Sequence, residues 1–164
     1  MTKTAAPQAA APDPSVDLDA MPGHAIRRLQ QIAFALFMHE ATALGTTPVQ
    51  YATLQVLADQ PGIDQRTLAR EVSLDTSTIA GVIDRLEARA LLTRSLSPAD
   101  RRVRLLHLTP GGEALRQELL PAMLRAQERM LDPLSAPERT AFMRMVQRVI
   151  EHHGAMDGGP ASSG

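Results

Sequence analysis

The chain has 164 residues, of which 44% are hydrophobic and 21% charged, with a formal net charge of -1. This length and composition predict one soluble domain with a buried core. The sequence contains no cysteine, which excludes disulfides, thiolate metal sites and cysteine nucleophiles. It shows no signal-peptide pattern and no run of about 20 apolar residues, so we predict a cytoplasmic protein.

The small net charge hides an uneven distribution along the chain. Residues 66–104 contain eight arginines and five acidic residues, a net charge of +3, and the remainder carries -4. A basic segment inside an acidic chain is typical of a module that faces a polyanion, although solvated arginines on helix faces give the same pattern. Residues 1–21 and 154–164 lack periodic apolar positions, and we predict that they are disordered tails.

The predicted elements begin with two helices. An apolar stripe uninterrupted by proline or glycine predicts a first helix over residues 24–44. In the stretch TTPVQ, Thr47 has the N-cap position, Pro48 the first helical position and Gln50 the capping-box position. This pattern predicts a second helix that ends near Asp59.

Two shorter helices follow across a tight turn. Asp64 is predicted to start a third helix, and Asp75 to cap a fourth after a break at Ser73. Apolar residues at helical spacing give the fourth helix a core-facing side, formed by Ile79, Val82, Ile83 and Leu86. The opposite side and its margins carry Thr76, Ser77, Thr78, Gly81, Asp84, Arg85 and Ala88.

The pattern changes in the next segment. The runs LLTRSL and VRLLHL flank the turn SPADRR and predict an antiparallel hairpin. Asp100 lies in this turn, where it is placed to orient a neighbouring guanidinium by a charge-assisted pair. A long helix bent at Pro121 and a last helix capped by Ser135 complete the prediction.

This order of elements predicts a mainly α fold that contains a winged helix-turn-helix. In such a fold the second helix of the pair, here the fourth predicted helix, is the recognition helix and enters the DNA major groove. The hairpin contacts the backbone or the minor groove beside it. Small and hydroxyl residues allow close approach to base edges, while arginines contact phosphates. The predicted DNA-binding residues are Thr76, Ser77, Thr78, Gly81, Arg85, Arg94, Asp100, Arg101, Arg102 and Arg104.

The span from Leu68 through STIAGVIDRLEARALLTRSLSPADRRVRLLHLTPGGEAL resembles the MarR family of bacterial transcription regulators. The resemblance covers roughly residues 22–153. It implies a homodimer in which residues 22–45 and 109–153 form the dimerisation platform. Each winged unit, residues 64–108, then faces one half-site of a pseudo-palindrome.

The resemblance also assigns roles to single residues. Arg102 matches the wing arginine that enters the minor groove, and Asp100 matches the acid that orients it. Ala90 departs from the pattern, because the family usually has glycine after the recognition helix. If that position requires a positive φ, alanine costs about 1 kcal/mol there.

A small anionic aromatic effector, bound between the platform and the winged unit, is a further implication of the family. His24, Arg28 and His39 fall on one side of the first helix and Tyr51 lies early in the second, so we predict that these four bind the ligand. Polar residues opposite an apolar stripe are otherwise merely hydrated. The stretches MPGHAIRRLQQI and TTPVQYATL resemble nicotinate-degradation repressors within the family, which makes a hydroxylated pyridine carboxylate the first candidate.

Two other functions stay open at this stage. An architectural DNA-binding protein without an effector would use the same wing. A metal-responsive regulator would use Glu151, His152 and His153 together with another histidine, although adjacent helical histidines point about 100° apart. No nucleophile with a base, phosphate loop or acid pair has interpretable spacing, so we predict neither an enzyme nor a cofactor.

Overall fold

The computed structural model describes residues 17–157, with side chains to residue 154. In this part of the chain, short connections join six α-helices and three strands. The helices are α1 (Pro22–Glu40), α2 (Pro48–Asp59), α3 (Gln65–Glu71), α4 (Thr76–Ala88), α5 (Pro110–Met130) and α6 (Ala136–Asp157). The strands are β1 (Ile63–Asp64), β2 (Leu92–Leu96) and β3 (Arg104–Leu108). None of the helices within residues 17–157 has the length and hydropathy needed to cross a membrane.

Polar caps start the central helices, as the sequence predicts. Thr47 and Gln50 form a complete capping box: each backbone N–H donates to the other side chain, at 3.0 and 3.3 Å. Asp64 caps α3 and Asp75 caps α4, each accepting two backbone N–H groups of the first turn. Because these caps satisfy backbone donors that the helix itself leaves free, they stabilise the starts of all three helices.

The first helix is shorter than predicted. It ends at Glu40 and is followed by a 3-10 turn, Thr42–Leu44. The Thr42 hydroxyl donates to the carbonyl of Met38 at 2.6 Å and thereby satisfies one carbonyl at the helix end. Gly45 then reverses the chain with a φ of 55°.

The ranges predicted as tails contain some regular structure. A 3-10 turn, Leu18–Ala20, is capped by Asp17, and Asp19 pairs with Arg28 at 3.0 Å. At the other end α6 extends to Asp157. The rest of both predicted tails lies outside the described residues.

The predicted hairpin is present and belongs to a small antiparallel sheet with the order β1-β3-β2. Leu92 pairs with Leu108 at its base, and Leu96 pairs with Arg104 next to its tip. The two-residue strand β1 was not predicted; Ile63 pairs with Leu106 and places a third strand on the hairpin. The hairpin is therefore fixed along β3 to the start of α3.

The buried apolar residues form two clusters. The larger cluster lies in the winged unit and extends into α2. The smaller cluster lies between α1, α2 and α5. The winged-unit core consists of Leu54, Leu57, Ile63, Leu68, Ala69, Ile79, Val82, Ile83, Leu86, Leu91, Leu92 and Leu106. The platform core consists of Phe37, Ala41, Tyr51, Leu119, Ala122 and Ala126.

The last helix is different, because α6 packs extensively against no other described element of the chain. Its apolar side chains are nevertheless numerous, and Met145, Val149 and Ile150 are each more than half exposed. On α1, Ile26 and Ile32 are also more than half exposed. Within the part of the chain that the structure describes, the platform helices therefore leave a large apolar surface uncovered.

Candidate nucleic-acid interface and effector cavity

Helix α4 presents its polar start to solvent and its apolar side to the core. Ile79, Ile83 and Leu86 are fully buried, whereas Thr76, Ser77 and Thr78 at the first turn are exposed. The side-chain hydroxyls of Ser77 and Thr78 donate to Asp75, and these bonds hold the Asp75 pKa far below its usual range. The cap residue is thus an anion whose charge the helix N-terminus stabilises. The two hydroxyls are oriented by it and still have lone pairs to accept bonds.

The wing tip is a compact turn held by backbone contacts. Ser97 N–H donates to the Val103 carbonyl at 3.0 Å, and Val103 N–H donates to the Asp100 carbonyl at 2.9 Å. The carboxylate of Asp100 accepts the backbone N–H of Arg102 at 2.9 Å. Asp100 therefore orients Arg102 through its main chain, rather than through the guanidinium pair that the sequence led us to expect. The side chains of Arg101, Arg102 and Arg104 are exposed.

Arg94 differs from the other predicted DNA-binding arginines. Its guanidinium pairs with both Asp84 and Glu87 on α4, and only 25% of its side chain is exposed. The predicted groove-facing residues Gly81 and Arg85 lie on the same helix; Gly81 is half-buried and Arg85 is exposed. Arg94 therefore lies between the hairpin and the recognition helix, while the tip arginines project from the protein.

The end of α4 and the start of α5 meet backbone to backbone. Ala90 has a φ of 54°, so it occupies the left-handed conformation that glycine usually supplies. The Thr109 hydroxyl donates to the Ala90 carbonyl at 2.8 Å and accepts the N–H of Gly112 at 3.0 Å. A Cβ atom on Gly112 would lie 2.0 Å from the Leu91 carbonyl oxygen, so only glycine fits. This contact connects the recognition helix to the platform.

A cavity of about 430 Å³ opens between α1, α2 and α5. Its wall is mostly apolar, with amide side chains from all three helices and the Tyr51 ring. Tyr51 packs against Phe37 with ring centroids 6.1 Å apart, and burial raises the pKa of its phenol. The hydroxyl is therefore a neutral hydrogen-bond donor at physiological pH. The lining residues are Gln30, Ala33, Phe34, Phe37, Pro48, Val49, Tyr51, Ala52, Gln55, Val56, Met123 and Gln127.

Of the four predicted ligand-binding residues, only Tyr51 lines this cavity. His24, Arg28 and His39 do not, and the guanidinium of Arg28 is paired with Asp19. The side of α1 that faces the cavity carries Gln30 and Phe34 instead, and it continues into an outer groove that includes Arg27. The sequence contained one signal for this face, since Phe34 lies off the main apolar stripe.

A polar network connects the cavity to the start of α5. Arg116 donates to the Gln55 side-chain carbonyl at 2.9 Å, and Gln55 lines the cavity. The same guanidinium holds Glu113 through two bonds, at 2.7 and 2.8 Å, which lowers the Glu113 pKa to about 2. Glu113 follows Gly112 directly. Hydrogen bonds through Arg116 and Glu113 therefore connect Gln55 in the cavity wall to the contact between α4 and α5.

The histidines near the C-terminus form no larger cluster. His152 and His153 meet edge to face with ring centroids 5.0 Å apart. Within the residues that the structure describes, no group of three or more His, Asp or Glu side chains is placed to hold a metal ion.

Two short helices across a turn, α3 and α4, followed by the hairpin β2–β3, form a winged helix-turn-helix, a DNA-binding architecture. Comparison with known proteins gives the family. The model of the MarR family matches residues 46–103. The chain is 32% identical to the "HTH-type transcriptional repressor NicR" of Pseudomonas putida, over 92% of this chain and 96% of that protein. The chain thus belongs to the MarR family and is a DNA-binding transcriptional regulator, not an enzyme.

Solved structures agree with this assignment. The PcaV regulator of Streptomyces coelicolor, in complex with its natural ligand, is 40% identical, with a TM-score of 0.75 over 84% of this chain and 96% of that one. Bordetella bronchiseptica BpsR, whose DNA binding is regulated by 6-hydroxynicotinic acid, is 32% identical, with a TM-score of 0.78 over 82% and 96%. The repressor CouR, bound to a 23-mer DNA duplex, is 29% identical, with a TM-score of 0.75 over 80% and 94%.

Proposed function

We propose that this regulator is a homodimeric repressor that binds a pseudo-palindromic operator and is released by a small aromatic acid. The observation that carries the proposal is the exposed start of α4 on a helix that Arg94 joins to the hairpin with the exposed arginine tip. Two such units, related by a two-fold axis, match a palindrome whose half-sites lie about one or more helical turns apart. The name of the relative NicR includes the word repressor, which favours repression over activation.

The uncovered apolar surface supports the homodimer. Among residues 17–157, α6 lacks an extensive packing partner, and Met145, Val149 and Ile150 are exposed. A second copy of the platform would bury these side chains, and burial of apolar area is favourable by about 25 cal/mol per Å². The domain ranges proposed from the sequence fit this arrangement: residues 22–45 and 109–153 for the platform, and residues 64–108 for the winged unit.

The wing assignment is tested by Arg102→Ala. We expect operator affinity at fixed salt to fall at least about 30-fold, because each of the two wings of the proposed dimer loses a groove contact worth about 1–3 kcal/mol. Arg144→Ala removes the same charge from the exposed surface of α6 and is the matched control. Fluorescence anisotropy on a duplex selected by the wild-type protein from a random pool gives both affinities. Unchanged affinity for Arg102→Ala would contradict the proposal.

Sequence specificity separates this proposal from the architectural alternative. A repressor binds its selected duplex about 10³–10⁷ times more tightly than a scrambled duplex of equal length and composition. An architectural protein binds both duplexes equally. A competition titration between the two duplexes distinguishes these outcomes.

The cavity between α1, α2 and α5 is the proposed effector site. Its apolar walls and amide groups suit a planar ring, and the Tyr51 hydroxyl supplies a neutral donor for a carboxylate or a ring oxygen. Arg116 lies close enough to Tyr51 to influence its pKa, and Arg27 borders the outer groove. Two cations therefore lie near the cavity: Arg116, which is bonded to the wall residue Gln55, and Arg27, which lines the adjoining groove. For His24, Arg28 and His39, ligand binding stays a prediction.

We further propose that occupancy of this cavity is transmitted through Arg116. A ligand that contacts Gln55 or Arg116 weakens the hold of Arg116 on Glu113, in the first turn of α5. That turn packs against the chain immediately after α4, through Thr109 and Gly112. Ligand and DNA then oppose each other through their differential affinity for two arrangements of α5 and α4.

The effector proposal is tested with 6-hydroxynicotinic acid, the compound named for BpsR. At saturation we expect it to weaken operator binding about 5- to 150-fold, the usual range of allosteric coupling. Tyr51→Phe keeps the ring and removes the hydroxyl, so it should raise the concentration needed for release without changing operator affinity in its absence. No response to this acid or to a panel of benzoates and pyridine carboxylates would contradict an aromatic-acid effector.

A further inference from the structure

The recognition helix carries an unfavourable charge for a DNA-binding element. Helix α4 contains two acidic residues, Asp84 and Glu87, and one basic residue, Arg85. The Asp84 side chain is 65% exposed and lies on the same side of the helix as Gly81, one of the predicted groove-facing residues. A free carboxylate in this position would repel the phosphates that the helix has to approach.

The hairpin supplies the compensating charge. Arg94, in the middle of β2, donates one guanidinium nitrogen to Asp84 and another to Glu87. Its side chain is only 25% exposed, in contrast to the exposed arginines of the wing tip. Each terminal guanidinium nitrogen donates one charge-assisted bond to α4, so these two bonds hold the guanidinium against that helix.

We propose that Arg94 is a positioning residue for DNA binding: it neutralises Asp84 and Glu87 and holds the wing against the recognition helix, without itself binding phosphate. This assignment replaces the direct DNA contact that the sequence predicted for Arg94. It explains why an arginine in a strand that carries the wing is directed inward. Only an arginine presents the planar set of donors that can hold two carboxylates at once.

Charge rescue tests the proposal. Arg94→Met leaves both carboxylates free near the duplex, and we expect operator affinity to fall about 10-fold or more. In an Asp84→Asn, Glu87→Gln background the carboxylates are absent, so adding Arg94→Met should change affinity about 2-fold or less. A direct phosphate contact would give the same loss in both backgrounds, and that result would overturn the proposal.

The dependence on salt gives a second readout. Each phosphate contact adds about 0.9 to the slope of log affinity against log salt concentration. If Arg94 does not bind phosphate, the slope for the triple variant equals that of the Asp84→Asn, Glu87→Gln variant. Because the proposed dimer carries two copies of Arg94, a slope smaller by about 1.8 would overturn the proposal.

Folding is controlled independently of DNA. Arg94→Lys keeps the positive charge but not the two-pronged geometry, and we expect an affinity between those of wild type and Arg94→Met. Circular dichroism and thermal unfolding of all variants identify any that fail to fold. A wild-type affinity for a folded Arg94→Met protein would overturn the proposal.

Discussion

The winged unit buries its apolar side chains, whereas the platform leaves many of them exposed. In the winged unit, Leu68, Ile79, Ile83, Leu86 and Leu106 are completely inaccessible within one chain. In the platform, the exposed apolar residues are distributed along α1, α5 and α6. The winged unit thus closes its core within the described residues, whereas the platform leaves apolar side chains exposed, which the proposed homodimer would cover. Substitutions in the two regions should therefore differ in their dependence on protein concentration.

The largest effect is expected on α6. Val149→Asp combined with Ile150→Asp places two charges in the proposed dimer interface, and we expect the mass in solution to fall to the 17.7 kDa of one chain. Losing the second half-site should weaken operator binding by about 10²–10⁴-fold. Sedimentation equilibrium and anisotropy give both values. Arg144→Asp, on the opposite side of α6, should leave the dimer intact; a dimer that survives the double substitution would contradict the platform assignment.

A smaller effect, confined to the winged unit, is expected at Ala90. Ala90→Gly relieves the positive φ after the recognition helix, and we expect it to raise the free energy of unfolding by about 1 kcal/mol. Gly45→Ala is the mirror-image control, since Gly45 has a φ of 55° and a Cβ there meets no atom within 4 Å. It should lower stability by a similar amount. Urea titrations measure both; a loss of stability in Ala90→Gly would show that the alanine methyl group contributes more than the strain costs.

The smallest effect concerns pH. Arg116 lowers the pKa of Glu113 to about 2 from an ordinary value of 4.5. Since the folded-state pKa is depressed, the pair stabilises the fold above about pH 4.5, and this contribution is lost as the pH falls towards about 2. Wild type should therefore exceed Glu113→Gln in stability at pH 6, with a difference that shrinks at about pH 3. Glu118→Gln, an exposed position on the same helix, controls for net charge; a difference independent of pH would contradict the ion pair.

Local chemistry made much of the fold predictable. Thr47, Asp64 and Asp75 combine cap chemistry with the start of an apolar pattern, and each marks a helix start in the structure. The end of α1 was harder, because no proline or glycine occurs between Glu40 and Gly45. Strand β1 has only two residues and forms through its pairing with β3, so it is too short to give a periodic pattern in the sequence.

The sites depend on contacts between distant residues, which one sequence does not contain. The arginines at the tip of the hairpin were recognisable from the turn. That Arg94 points inward depends on Asp84 and Glu87, which lie on another element. The residues of the proposed effector cavity could not be predicted for the same reason. Packing determines which side of α1 faces α2 and α5, and that side carries Gln30 and Phe34 rather than His24 or Arg28.

The two adjacent glycines in the first turn of α5 differ in whether they can be replaced by a residue with a side chain. A Cβ on Gly111 would lie at an ordinary distance of 3.7 Å from the Thr109 hydroxyl, whereas on Gly112 it would collide with the main chain of Leu91. In a library of all single substitutions, position 111 should accept alanine and gain helix propensity, while position 112 should accept no other residue. The absence of a side chain at Gly112 thus sets how closely the start of α5 approaches the chain that follows α4.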